Sequence, residues 1–332
     1  MHNLKKYLFA GSIAFGLAVG AAAPAPALAE GAFKPTGPVR IVVPFPPGGG
    51  TDAMSRIVGE KLGEIWQQPV IIENRSGAQG NVGTAYALKT PPDGMTWVVA
   101  HQGVLTVNPF LYKKDLGFDV FKDMTPIGRA TQQPFVLVAN PKVPVSTLKE
   151  LETMARAQPG KFSFGSSAAG PQLAVEMFKH TTGVQLLHVA YKGAGPAVID
   201  VLAGNIDMLV ANPASIAQHV KSGKLKALVA FGDQPVAVLP GVATAPQAGY
   251  PMLGDIPEWY GFGVPAGTPA ATVQLLNKDL NTALSNPDVV RRLSELGLNA
   301  SPTTTAEFAS QIRRDNDRWG KLIREAGVRI DG

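Results

Sequence analysis

The chain has 332 residues, with 30 Lys and Arg against 25 Asp and Glu, five His and no Cys. This length suits two domains that each bury a core. The lack of cysteine excludes a disulfide framework, a thiolate nucleophile and a cysteine metal site. The formal charge of +5 is spread along the chain. It forms no Lys/Arg stripe of the kind a nucleic-acid partner requires. His2, His101, His180, His188 and His219 lack the spacing of a helical zinc site, so no metal and no cofactor is expected.

Lys5 and Lys6 followed by the uncharged stretch from Tyr7 to Ala22 and by Ala27-Leu28-Ala29 form a secretory signal pattern. Residues 1–29 are expected to be removed after Ala29, and the mature chain exported to the periplasm. There is no twin arginine before the apolar stretch, which favours general secretion. The mature sequence then alternates β-branched runs with amphipathic ones, a pattern that predicts α/β layers around a largely parallel sheet. The first strand is expected over Val39 to Phe45. Pro46-Pro47-Gly48-Gly49-Gly50 leads into a helix with Thr51 or Asp52 as N-cap and Met54, Ile57, Val58, Leu62 and Trp66 on its buried face. A strand at Val70 to Glu73, a helix at Asn81 to Leu88 and a strand at Thr96 to Ala100 follow.

A second series starts at Gln133, with strands expected at Phe135 to Ala139, Phe162 to Gly165, Leu186 to Ala190, Ile206 to Val210 and Ala227 to Phe231. The helices between them are placed after a Thr147-x-x-Glu150 capping box, at Gln172 to Thr182, at Pro196 to Ala203 and at Ala214 to Ser222. Pro235 to Pro257 reads as a connection, and Tyr260 to Val264 as a strand. Three helices close the chain, the last behind a Thr304-x-x-Glu307 box. The expected domains are 30–132 with 251–332, and 133–250. Chain crossings near Gln132-Gln133 and Pro251 to Trp259 would form a hinge with a cleft between the domains.

Two strand-to-helix turns carry the candidate chemistry. Gly48-Gly49-Gly50-Thr51-Asp52 would present backbone N–H groups and a helix dipole to an anion. Ser166-Ser167-Ala168-Ala169-Gly170 would add hydroxyls and a second row of N–H groups, suited to a carboxylate. Each turn also admits an enzyme reading. Gly48-x-Gly50-x-x-Ala53, with Glu73 beyond it, matches a dinucleotide fingerprint. Against it stand the stiff Pro46-Pro47 pair and the export signal. Gly165-x-Ser167-x-Ala169 misses the second glycine of a hydrolase elbow, and His188 lies within a strand. No catalytic residue is assigned. Tyr191, Asp207 and Asn212 stand at strand ends where they either line the cleft or finish turns.

Several segments, taken in order, resemble the Bug-type receptors of tripartite tricarboxylate transporters. They are Val43-Pro44-Phe45 through Gly48-Gly49 with Asp52 and Arg56, Glu73-Asn74-Arg75-x-Gly77-Ala78-x-Gly80, Pro92-Asp93-Gly94 and Asn108-Pro109-x-Leu111-Tyr112. Pro159-Gly160-Lys161-Phe162-x-Phe164-Gly165-Ser166, His188-Val189-x-Tyr191-Lys192-Gly193, Gly223 to Leu228 and Pro265-Ala266-Gly267-Thr268-Pro269 continue the series. The resemblance implies a type II periplasmic binding protein fold: two α/β domains joined by two hinge crossings, with the ligand cleft between them. It further implies a monomeric receptor that captures a small organic carboxylate and delivers it to integral-membrane permease subunits. A ligand-sensing partner of a membrane sensor kinase would bind in the same way. The turn matching Pro46 to Asp52, with Phe45 before it, and the loop matching Ser166 to Gly170 would hold the ligand from opposite domains. That second loop is shorter and poorer in Gly, Ser and Thr than the family pattern. Gln102 and Gln132-Gln133 are therefore further candidates for polar contacts.

Overall fold

The computed structural model describes residues 33–326 except 113–115, 234 and 255. The expected signal segment, residues 1–29, lies outside the described residues. The first half of the molecule contains β1 (Val39–Val43), α1 (Gly50–Trp66), β2 (Val70–Asn74), α2 (Asn81–Leu88), β3 (Thr96–His101), α3 (Gln102–Thr106), α4 (Asn108–Leu111) and β4 (Met124–Ala139). The middle contains α5 (Leu148–Ala157), β5 (Ser163–Ser166), α6 (Ala169–Thr182), β6 (Leu187–Ala190), α7 (Ala194–Ala203), β7 (Met208–Ala211), α8 (Pro213–Lys221) and β8 (Lys226–Phe231). The last part contains β9 (Pro257–Pro265), α9 (Ala270–Leu284), α10 (Pro287–Glu295), β10 (Asn299–Ala300) and α11 (Thr305–Ala326).

Strands run in the order β2-β1-β3-β9-β4-β7-β5-β6, with β8 and β10 also paired to β4. The expectation of a largely parallel sheet needs correction. β1 pairs in parallel with β2 and β3, and β5 with β6 and β7, but every pairing made by β4 and β9 is antiparallel. Those two strands carry the chain from one sheet to the other. β4 pairs with β9 from Met124 to Pro134 and then with β7 and β8 from Phe135 onward. The resulting architecture is a two-lobed α/β fold.

Both sheets are covered on both faces, so their strands alternate between two apolar layers rather than between core and solvent. In β1 and β3, Ile41, Val43, Trp97 and Val99 enter one cluster while Val42, Val98 and Ala100 enter the other. In the second sheet Phe135 and Leu137 face one cluster, and Val136 and Val138 face the opposite one. In the final helix, Phe308 and Ile312 join the apolar cluster beneath the first sheet, and Trp319 and Ile323 join the cluster that also holds Phe135.

Local signals explain most helix ends. Thr147 caps α5 by accepting the Glu150 N–H, and Thr304 and Glu307 bond reciprocally before α11. Gly183 ends α6 in the left-handed region, with φ 73°. Four elements differ from expectation. β4 begins at Met124 instead of Phe135, because its first half, broken in register around Pro126 and Gly128, lacks a β-branched run. The short α3 and α4 were hidden for the same want of periodicity. α1 starts one residue earlier than Thr51, with Gly49 as an N-cap that has no side chain to offer.

The long 233–256 connection is anchored by Tyr250, whose hydroxyl donates to the buried Glu152 carboxylate at 2.5 Å. That bond first, then Lys149 and Arg156, holds the Glu152 carboxyl down at about 2. The two cations are mostly exposed, so the buried phenol is the stronger partner. A carboxyl that titrates below its ordinary value of 4.5 stabilises the fold fully above that pH and loses the contribution as pH falls toward 2. Glu152→Gln is therefore expected to cost about 1–3 kcal/mol at pH 7. In urea unfolding from pH 7 to pH 2.5, the gap between variant and parent should narrow steadily.

Candidate functional site

The floor of the interlobe cleft is made where β3, β4 and β9 meet. His101 ends β3 opposite Tyr260, and Gln133 of β4 lies opposite Glu258. Because side chains alternate along a strand, Glu258 and Tyr260 face the cleft together. Trp259 between them is buried on the other side, donating Nε1–H to Asp315 at 2.7 Å. Gln133 Nε2 donates to Glu258 at 3.3 Å, and His101 Nε2 stands 3.5 Å from the other Glu258 oxygen. The imidazole of His101 stacks on Tyr260, with ring centres 5.2 Å apart, and tilts against Phe45. Tyr260 accepts from Asn212 Nδ2 at 3.0 Å. Burial first, then the Glu258 carboxylate beside it, raises the Tyr260 phenol well above its ordinary value. It remains a proton donor.

Helix starts form the walls. Gly49, Gly50 and Thr51 of α1, Ser167 and Ala168 before α6, Ala194 of α7, and Asn212 before α8 all line the same cavity. The N-caps of α1, α6 and α7 are Gly49, Ala168 and Gly193, all extended, and none caps its helix with a side chain. The first-turn N–H groups of a helix have no partner within it, and together they present a partial positive charge. Asn212 differs, since its side chain accepts the Ser215 N–H and is thereby fixed over the cavity. No lysine or arginine lines the space.

The lobes stand close together. A Cβ on Gly193 would come within 2.8 Å of Pro46, and one on Gly50 within 2.9 Å of Asn212. On the far side, a Cβ on Gly103 would lie 3.0 Å from the Gly170 nitrogen. The cavity between them is about 30 Å³, room for roughly two water molecules. A molecule larger than this needs the lobes further apart.

Of the residues singled out in the sequence, Phe45, Pro46, Gly49, Thr51, Ser167, Ala168 and Asn212 meet around this cavity. Others stand behind it. Gly48 makes the turn, with φ 91°, and donates its N–H to Asp52 at 3.1 Å. Asp52 also accepts from Arg56 and Asn74. Burial opposes ionisation of Asp52, but Arg56, the Gly48 N–H and Asn74 together hold its carboxyl below its ordinary value. It therefore shapes the loop rather than lining the cavity. Gln102 is fully buried and presses against Gly170, while Ala169 and Gly170 lie in the buried first turn of α6. Ser166 bonds His188 at 2.8 Å between β5 and β6, Tyr191 donates to Asp200 at 2.7 Å, and Asp207 accepts from the Ser163 N–H and hydroxyl.

Sequence reasoning missed His101, Glu258 and the lining role of Ala194 and Pro171. For Glu258 the available signal was a charged residue two positions from Tyr260 in a strand with apolar faces. The enzyme readings find little geometry. Ser166, which does contact a histidine, is 2 % exposed and absent from the cavity lining. Burial first, then Lys179, lowers the His188 pKa to about 4. Glu73, the residue expected at a ribose, is engaged by Arg75 and Arg40. Among the described residues no cluster of three or more His, Cys, Asp or Glu is arranged for a metal ion, and no helix is long and apolar enough to cross a membrane.

Comparison with known proteins agrees with this architecture. Protein BugT of Bordetella pertussis is 32 % identical over 298 residues, covering 89 % of this chain and 91 % of BugT. The structure of Rhodopseudomonas palustris Rpa4515 with adipate superposes with a TM-score of 0.85 at 29 % identity, covering 89 % of this chain and 99 % of that one. MatC (Rpa3494) from Rhodopseudomonas palustris, with bound malate, gives 0.82 at 27 % identity, covering 87 % and 99 %. Relatives of this kind are periplasmic binding proteins. The family model for the tripartite tricarboxylate transporter family receptor matches residues 54–328, and the chain belongs to that family.

Proposed function

We propose that this chain is an exported, periplasmic receptor that closes over one small organic carboxylate and delivers it to the permease subunits of a tripartite tricarboxylate-type transporter. The observation that carries this reading is the convergence of three helix starts without side-chain caps on one cavity that has no lysine or arginine in its lining. Backbone N–H groups at a helix start replace the water shell of a carboxylate, and charge-assisted bonds exceed neutral ones in strength. Adipate and malate, held by the two relatives above, are both carboxylates.

In this reading residues 1–29 are removed, and residues 133–250 form one lobe against the two flanking segments. β4 and β9 flex near Pro134 and Pro257, and α11 maintains contact with both lobes. The mature receptor acts as a monomer without a cofactor. Closure follows ligand because only the closed state brings the α1 turn and the α6 and α7 starts to one molecule. The permease recognises that state. Turnover plays no part, in keeping with the buried Ser166 and the uncharged His188.

A thermal-denaturation screen of small carboxylates against their matched amides tests the anion. At a hundredfold excess over Kd, a native-state ligand adds about 2.7 kcal/mol, a rise of several degrees. Acids are expected to produce that rise and their amides to fall well short of it. Equal shifts would remove the carboxylate assignment.

Closure has its own test at Gly193. Its extended backbone suits any residue, so a substitution there is felt only through the 2.8 Å approach to Pro46 of the other lobe. Gly193→Ala is expected to weaken ligand affinity about 5- to 100-fold by overpacking the closed interface. The melting temperature without ligand should change little. Calorimetric titration giving parental affinity would show that closure does not use this contact.

A further inference from the structure

Glu258 does not fit a site built for anions alone. Its carboxylate forms part of the cavity wall yet is only 2 % exposed. The groups that face it are neutral. Gln133 donates an amide N–H at 3.3 Å, and Tyr260 is a phenol. His101 presents Nε2 at 3.5 Å. The other imidazole nitrogen, Nδ1, accepts the Gly103 N–H at 3.1 Å. A nitrogen that accepts carries no proton, so the ring is neutral with its hydrogen on Nε2. A buried carboxylate without a cation is unfavourable, and dipoles at the helix starts offset only part of that cost. One small cavity thus offers partial positive charge from α1, α6 and α7 and a formal negative charge from β9.

We propose that Glu258 is a specificity-determining residue, which selects a carboxylate that also bears a cationic nitrogen over a dicarboxylate. The inference rests on the carboxylate reading above. The ligand's carboxylate takes the helix N–H groups, while its ammonium meets Glu258 in a charge-assisted bond and supplies the missing counter-charge. A dicarboxylate would place a second anion beside Glu258 in a water-poor space, where two carboxylates do not both remain ionised without cost. By this logic the chain departs from its relatives that hold adipate or malate.

Calorimetric titration of the mature protein distinguishes the outcomes. The probes are α-, β-, γ- and δ-amino acids, each paired with the diacid in which a carboxylate replaces the ammonium. The best-bound amino acid is expected to exceed its diacid at least about tenfold in affinity. Glu258→Gln should abolish or reverse that ratio, and Glu258→Asp should retain its direction, with melting curves verifying that each variant is folded. The ratio in the unmodified protein decides by itself if the Gln variant does not fold. Diacids that bind as tightly as amino acids, or a ratio unchanged in Glu258→Gln, would overturn the proposal and leave the carboxylate reading intact. Failure of every acid of either kind to bind would overturn both.

Discussion

A helix start leaves N–H groups in need of an acceptor, and this molecule brings three such starts to one cavity. Some helices are capped by side chains, as where Thr147 before α5 and Asn286 before α10 each accept a first-turn N–H, whereas α2, α4 and α9 are not. Around the cleft, Gly49, Ala168 and Gly193 leave those donors without such a cap. Buried donors without partners are unfavourable by about 1–3 kcal/mol each. In the proposed function, a small anion that enters the cavity accepts from several of these positions together, with no arginine required.

The same interaction explains why the lobes need each other. α1 belongs with the first sheet, whereas α6 and α7 belong with the second, so no single lobe completes the cage. β4 makes the arrangement possible by continuing from one sheet to the other, and β9 accompanies it as far as Pro257. Proline on both strands at the change-over, Pro134 opposite Pro257, removes N–H donors where the ladder must end. Small residues at facing positions then allow close approach. Gly193 admits Pro46, and Gly50 admits Asn212.

Much of this was legible in the sequence where local chemistry dictates geometry. The capping boxes at Thr147 and Thr304 marked two helices correctly, and the glycine turn after β1 announced a helix start with an exposed backbone. The layered α/β class followed from the alternation of apolar runs. Residue roles within the turns were less legible. Asp52 has the character of an N-cap but faces Arg56, Asn74 and the Gly48 N–H, because Gly49 occupies the capping position. Ser166 and Ser167 look equivalent on paper, yet strand alternation turns the first toward His188 and the second into the cavity. The cleft floor depends on which residues of β3, β4 and β9 come into register. No local pattern encodes that pairing, so Glu258 and His101 became visible only with the strands assembled.

A crystal structure of the mature receptor with its carboxylate bound addresses the central point directly. Carboxylate oxygens should lie within hydrogen-bonding distance of N–H groups at the start of α1 and of α6 or α7, directly or through one water. A carboxylate held instead by a lysine or arginine side chain, or seated away from these helix starts, would contradict the account.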